Sequence, residues 1–219
     1  MRRLAFLCVL LLVFGTAAQL QASQTNWLWV FTATSGANNN SGSLGVLTSA
    51  IDDQDSRDVQ TNKNSKLKMG VYHSNWTKGS GNNDPYWSSD IRGAFPPGQI
   101  KKWAGFYLWK ATSAGSSDYT LQWSPDTTNA PVSSIQGVPY RYYLTLLTTQ
   151  AGGPSVGTRW ELVPGMTNSI ILPNAGYGAS AGYSLDFEAD PVPAPEPGMI
   201  VFVLGAGLPI GFVIRRLRR

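Results

Sequence analysis

The strongest constraint on this fold is the rhythm of residues 23–190, where short runs of β-branched and aromatic residues recur between clusters of Gly, Pro, Asn, Asp and Ser. Runs of this kind at this spacing read as strands between turns, and no long segment shows the three-to-four spacing of an amphipathic helix. The expected strands are 27–34, 42–49, 66–73, 103–112, 119–123, 140–148, 159–163, 169–172 and 183–188. Two of them differ in kind. Lys66-Leu67-Lys68-Met69 alternates like a half-exposed strand, whereas Trp27-Leu28-Trp29-Val30-Phe31 is apolar throughout, like one covered on both sides. About nine short strands without a detectable repeat predict an all-β domain, an antiparallel two-sheet sandwich of jelly-roll-like kind. Polar loops are expected at 35–43, 75–90 and 126–134.

The two ends read differently from this body. Arg2 and Arg3 precede an apolar run, Leu4 to Phe14, followed by Gly15 to Ala18 and Leu20-Gln21-Ala22. That is the layout of a signal peptide, residues 1–22, with a small-residue site for signal peptidase. The run is about half of what a bilayer-spanning helix needs, which argues against a retained anchor. Cys8, the only cysteine, lies inside the run with no small-residue cleavage site before it, which argues against lipoprotein acylation. Its removal leaves a thiol-free body of roughly 170 residues, enough to bury a core without disulfides.

Residues 191–219 form a second address label. Asp190-Pro191-Val192-Pro193-Ala194-Pro195-Glu196-Pro197 is rich in proline and reads as an extended linker. Residues 198–214 carry no charge and, at 17 residues, read as a transmembrane helix near the short limit for spanning, with Pro209 a tolerated kink. Arg215, Arg216, Arg218 and Arg219 follow, and basic clusters stay on the cytoplasmic side. Both ends therefore predict the same topology, with the body on the outer face of the membrane and the C-terminus in the cytoplasm.

The order Pro195-Glu196-Pro197, apolar span, arginine cluster resembles the PEP-CTERM sorting signal of Gram-negative bacteria. The resemblance covers only the last 25 to 29 residues and leaves the body unassigned. It implies a membrane-embedded exosortase as partner, transient anchoring in the inner membrane, and release to the cell surface or extracellular matrix among exopolysaccharides. An ordinary membrane anchor on a proline-rich stalk is the alternative.

Charge excludes one class of function. The formal net charge is +4, but Arg2, Arg3 and the four terminal arginines are six of the 17 basic residues. Setting them and Glu196 aside leaves 11 basic against 12 acidic residues in the body. A body near −1 lacks the basic patch that nucleic-acid binding requires.

Three constellations in the body carry possible chemistry. Trp76, Tyr86 and Trp87, close to Asn82, Asn83 and Asp84 in an expected loop, could form a glycan platform; Trp103, Phe106, Tyr107 and Trp109 read as packing residues. Asp52, Asp53, Asp55 and Asp58 lie close enough in sequence to suggest calcium, but Arg57 intrudes and the glycine and distal glutamate of a calcium loop are missing. A solvated acidic loop is the simpler reading. Asp186 and Glu188 alternate along one strand, so both carboxylates share a face, as glycoside hydrolysis needs. In laminarinase-type β-sandwich hydrolases a further glutamate stands where this chain has Ser184, and a polar outer face accounts for the pair better. His73 is the only histidine, so neither a histidine-rich metal site nor an obvious catalytic triad can be assembled, and no cofactor is expected. The expectation is a non-enzymatic surface or matrix protein, with a carbohydrate-binding module and a secreted glycan-active hydrolase as alternatives.

Overall fold

A computed structural model describes residues 26–193 except 63, 112–114 and 175. The expected signal peptide, the span 198–214 and the sorting residues Pro195, Glu196, Pro197, Arg215, Arg216, Arg218 and Arg219 lie outside the described residues. Among those described, no helix is long and apolar enough to cross a membrane.

The body is all-β. Among the described residues twelve strands follow in order: β1 Trp27–Ser35, β2 Asn38–Val46, β3 Val59–Gln60, β4 Leu67–Tyr72, β5 Tyr86–Arg92, β6 Lys101–Lys110, β7 Tyr119–Pro125, β8 Ser134–Ile135, β9 Val138–Thr148, β10 Arg159–Leu162, β11 Asn168–Leu172 and β12 Tyr183–Pro191. Among the described residues a 3-10 turn spans Ala179–Ala181. Hydrogen-bonded neighbours form the path β10-β9-β12-β6-β4-β5-β2-β1-β7-β11, with β3 beside β5 and β8 beside β9.

The sheet curls until its two halves face each other, and aromatic rings fill the space between them. Trp27 of β1 packs edge-on against Trp103 of β6 at 5.7 Å and Tyr142 of β9 at 4.9 Å. Phe31 lies 5.4 Å from Phe106 and 5.6 Å from Phe187 of β12. Edge-to-face contacts of this kind add to the burial that drives the collapse. The all-apolar run of β1 is accounted for, since Trp27, Leu28 and Trp29 are all buried.

The expectation of purely antiparallel pairing is corrected at one place, where β2 and β5 run parallel through Leu44↔Asp90, Gly45↔Ile91 and Val46↔Arg92. The start of β5 pairs instead with β4, antiparallel, at Tyr72↔Tyr86 and Val71↔Trp87. One strand thus serves both halves of the curl and closes the seam between them. Two glycines make the crossing possible. A Cβ on Gly42 would lie 1.7 Å from the Ser88 carbonyl oxygen, and one on Gly70 would lie 2.5 Å from that of Trp87.

Two expected loops are also corrected. Residues 38–46 are a strand, zipped onto β1 through a tight turn at Gly36, whose φ is +59°. The polar run Asn38 to Ser43 has little strand propensity of its own, and pairing along the whole of β1 supplies what propensity does not. The loop expected over 75–90 gives way to β5 at Tyr86. Ser88, Ser89 and Asp90 are buried there, which a strand tolerates only when each polar group is bonded. The Ser88 hydroxyl donates to the Val59 carbonyl, and Ser89 Oγ accepts from the Ser43 amide.

Candidate functional site

The side-chain period of two on β5 separates the residues of the expected aromatic platform. Trp87 turns inward and is 3% exposed, opposite Val71, so it offers no binding face. Trp76 packs edge-on against it at 5.1 Å and stacks flat on the His73 ring at 3.6 Å, which covers one of its own faces. Tyr86 points the other way. The platform of Trp76, Tyr86 and Trp87 is therefore not assembled as expected.

A different aromatic group occupies the outer face of β4, β5 and β6. Tyr86 contacts Tyr72 at 5.6 Å, Tyr107 at 5.5 Å and Trp109 at 6.0 Å, and Tyr72 contacts Tyr107 at 6.3 Å. Tyr72 is 45% exposed and the other three are half-buried. Of the four residues read as packing, Trp103 and Phe106 do enter the core, whereas Tyr107 and Trp109 face outward. The change of face follows a bulge at the middle of β6, where Trp103 pairs with Phe187 and Phe106 with Leu185. Gly105 takes a φ of +71° there, and Asp186 accepts a hydrogen bond from its amide at 3.1 Å.

Beside this group lies an open pocket of about 390 Å³, lined by Asp53, Tyr72, His73, Ser74, Asn75 and Trp76. His73 anchors its wall through Nε2, 2.9 Å from an oxygen of Asp90, a residue without solvent exposure. Arg92 donates to both oxygens of the same carboxylate at 3.0 and 2.9 Å. Burial pushes the Asp90 carboxyl upward, but the hydrogen bonds from His73 and Arg92 outweigh it and hold the group below the usual carboxylate range.

The four acidic residues of 52–58 do not converge. Both oxygens of Asp52 accept from Lys101 Nζ at 2.7 Å, and Asp53 accepts from the Gln54 amide. Asp55 accepts from the amides of Ile51 and Arg57 and pairs with the Arg57 guanidinium. Asp58 turns inward, accepting from the amides of Asp55 and Ile91, and burial pushes its pKa up to about 6. Among the described residues, no group of three or more His, Cys, Asp or Glu side chains could hold a metal ion.

Asp186 and Glu188 do share the outer face of β12, as alternation requires, but the space between them is taken. Lys102 of β6 places Nζ 2.5 Å from Asp186 and 3.1 Å from Glu188, and hydrogen bonding to Asp186 is the largest influence raising its pKa. Arg159 of β10 reaches Glu188 at 3.2 Å and Asp190 at 3.0 Å while lying over the Tyr143 ring at 3.5 Å. Both carboxylates are thus engaged in ion pairs with side chains of neighbouring strands. The strand then leads to the tail: the Val192 amide donates to the Pro139 carbonyl at 2.9 Å, so the chain leaves the body from a fixed point.

Compared with known proteins, the chain matches no family model, no curated protein and no solved structure.

Proposed function

We propose that this chain is an exported surface or extracellular-matrix protein, processed at its C-terminal tail by an exosortase and associated, without catalysis, with exopolysaccharide. The observation that carries the reading is the order of features from the last residue of β12 onward: Pro191, then prolines at 193, 195 and 197 with Glu196 among them, an uncharged 198–214, and four arginines at the end. Prolines keep a backbone extended and free of internal hydrogen bonds, which suits entry into a protease groove, and Glu196 supplies a charge to be read. A plain stalk needs the prolines but not the glutamate. The curled sheet is read as a two-layer, jelly-roll-like sandwich that serves as the exported scaffold. The Lys102 and Arg159 ion pairs favour a structural role for Asp186 and Glu188 over a hydrolytic one.

The test is the intact mass and membrane fraction of the protein purified from its own host. Mature protein should lack residues 1–22 and the terminal arginines, and Glu196→Ala should leave full-length chain in the inner membrane. Wild-type protein that still carries Arg215 to Arg219 would replace the sorting signal with a permanent anchor.

A further inference from the structure

We infer that the outer face of β4, β5 and β6, centred on Tyr72 and continued by Tyr86, Tyr107 and Trp109, binds a neutral glycan through stacking of its sugar rings. This rests on the polysaccharide part of the function proposed above and is independent of the fate of the tail.

Four aromatic rings on the solvent side of a sheet are unusual, because the same residues would be better buried by facing inward. Here the surroundings are shaped to keep them outside. Gly105, in its bulge, leaves room for the Tyr107 ring, which passes 3.3 Å from where a Cβ would stand. At Gly70, opposite Tyr107 on β4, the β5 backbone of Trp87 occupies the place of a side chain, and the preceding residue, Tyr86, meets the Tyr107 ring at 5.5 Å. Tyr72 and Trp109 are four register positions apart on neighbouring strands, since Trp109 faces Lys68. The rings meet edge to face, and the contacts of Tyr86 with Tyr72 and with Trp109 keep the outermost centroids within about 12 Å, so the group offers the exposed Tyr72 ring and its half-buried neighbours to one or two sugars at a time.

Chemistry narrows the occupant. The C–H face of a β-linked hexose is apolar and slightly positive, and it seeks the negative face of an aromatic ring. Its hydroxyls need donors and acceptors at the perimeter. Tyr72 is the joint where both are present, for it also lines the pocket that holds Asp53 and Asn75. Charge points to a neutral ligand. The cation beside the rings, Lys68, is 5% exposed and already bonded to Asp84 at 2.6 Å and to the Asn62 carbonyl at 2.8 Å. The Asp53 carboxylate would repel uronates and phosphates.

The experiment is titration of the full chain in detergent micelles with cellohexaose, with laminarihexaose and with hexagalacturonate as a charged counterpart, read by tryptophan fluorescence and calorimetry. A neutral hexaose should bind with a dissociation constant below about 1 mM, and hexagalacturonate, repelled by Asp53, should bind at least about tenfold more weakly. Tyr72→Ala should weaken the neutral sugar by about tenfold, Tyr72→Phe should restore most of the loss, and Asp53→Ala should weaken it from the pocket side. Tyr72 is exposed enough for its replacement to leave the core intact, and an unchanged near-ultraviolet circular dichroism spectrum checks that. Equal binding by wild type and Tyr72→Ala overturns this site and leaves polysaccharide association standing. Failure of both neutral hexaoses to bind overturns the site and the association together, whatever the mass of the tail. Tighter binding of hexagalacturonate overturns the neutral assignment.

Discussion

Replacing Gly42 by alanine tests the seam on which both halves of the fold, and the placement of Tyr86, depend. Local rules predict a gain: Gly42 is not in the left-handed region, and alanine in a strand is better than glycine by about 0.5–1 kcal/mol. The structure predicts the opposite sign. The added Cβ would stand 1.7 Å from the Ser88 carbonyl oxygen and 2.3 Å from its carbon, so backbone rather than a flexible side chain is in the way. Relieving the overlap requires β5 to withdraw by roughly 1.5–2 Å. Hydrogen bonds do not survive stretching of that size, and the parallel pairing of Leu44, Gly45 and Val46 with Asp90, Ile91 and Arg92 would be lost. Three such pairs at about 1 kcal/mol each give a destabilisation of about 3 kcal/mol, within the range of overpacked cores. Gly165→Ala is the control, since φ there is +83° with nothing within 4 Å, and it should cost only about 1 kcal/mol of backbone strain. Urea denaturation followed by tryptophan fluorescence measures both. A Gly42→Ala protein within 0.5 kcal/mol of wild type, or more stable than it, would refute the account of the seam.

Two further perturbations probe buried charge. Because burial raises Asp58 to about 6 in the folded state, the native protein takes up this proton at higher pH than the unfolded chain. Stability should therefore rise as pH falls from 7 through 6, by on the order of 1–3 kcal/mol, whereas Asp90, held low by its partners, should withdraw stability only in more strongly acid solution. The urea midpoint at pH 5 should exceed that at pH 7 in wild type and not in Asp58→Asn; a wild-type midpoint that falls between pH 7 and 5 would contradict this. Lys110 has no solvent exposure, its ammonium donates to Ser35 Oγ at 3.0 Å and to the Ser117 carbonyl, it lies 4.8 Å from the Tyr119 ring, and burial lowers its pKa. Ser35 Oγ also donates to the Ser117 carbonyl, so Lys110→Met leaves neither of those groups unpaired and should be neutral or stabilising by about 1 kcal/mol, whereas Lys110→Ala should cost about 2 kcal/mol through the cavity. Thermal melts distinguish the two, and a Lys110→Met loss above about 2 kcal/mol would show the charge itself to be needed.

What could be read from the sequence was whatever depends on local period. The apolar run Trp27 to Phe31 announced a covered strand, and the alternation Ser184 to Glu188 placed Asp186 and Glu188 on one face. Their meaning was not local. Lys102 and Arg159, which turn a possible acid pair into an ion-pair ladder, arrive from β6 and β10 and are distant along the chain. The same limit explains the aromatic platform. Tyr86 and Trp87 are neighbours in sequence and were grouped as loop residues, but once β5 pairs with β4 the pleat sends them to opposite faces. Tyr72 and Tyr107, which replace Trp87 on the outer surface, carry no signal that separates them from core aromatics.

The missed elements share a physical cause. Asn38 to Ser43 and Ser88 to Asp90 are small or polar where a strand normally shows branched or aromatic residues, and taken locally they read as loop. They are small and polar because of what crosses them. At Gly42 the chain must leave room for the β5 backbone, and at Asp90 a carboxylate is needed to join His73 and Arg92 while its own carbonyl accepts from the Trp103 indole at 3.0 Å. The seam therefore conceals itself from local reading by the same features that let it close. It also carries Tyr86 to the outer face, so a sequence reading that misses β5 as a strand must misplace the aromatic group as well.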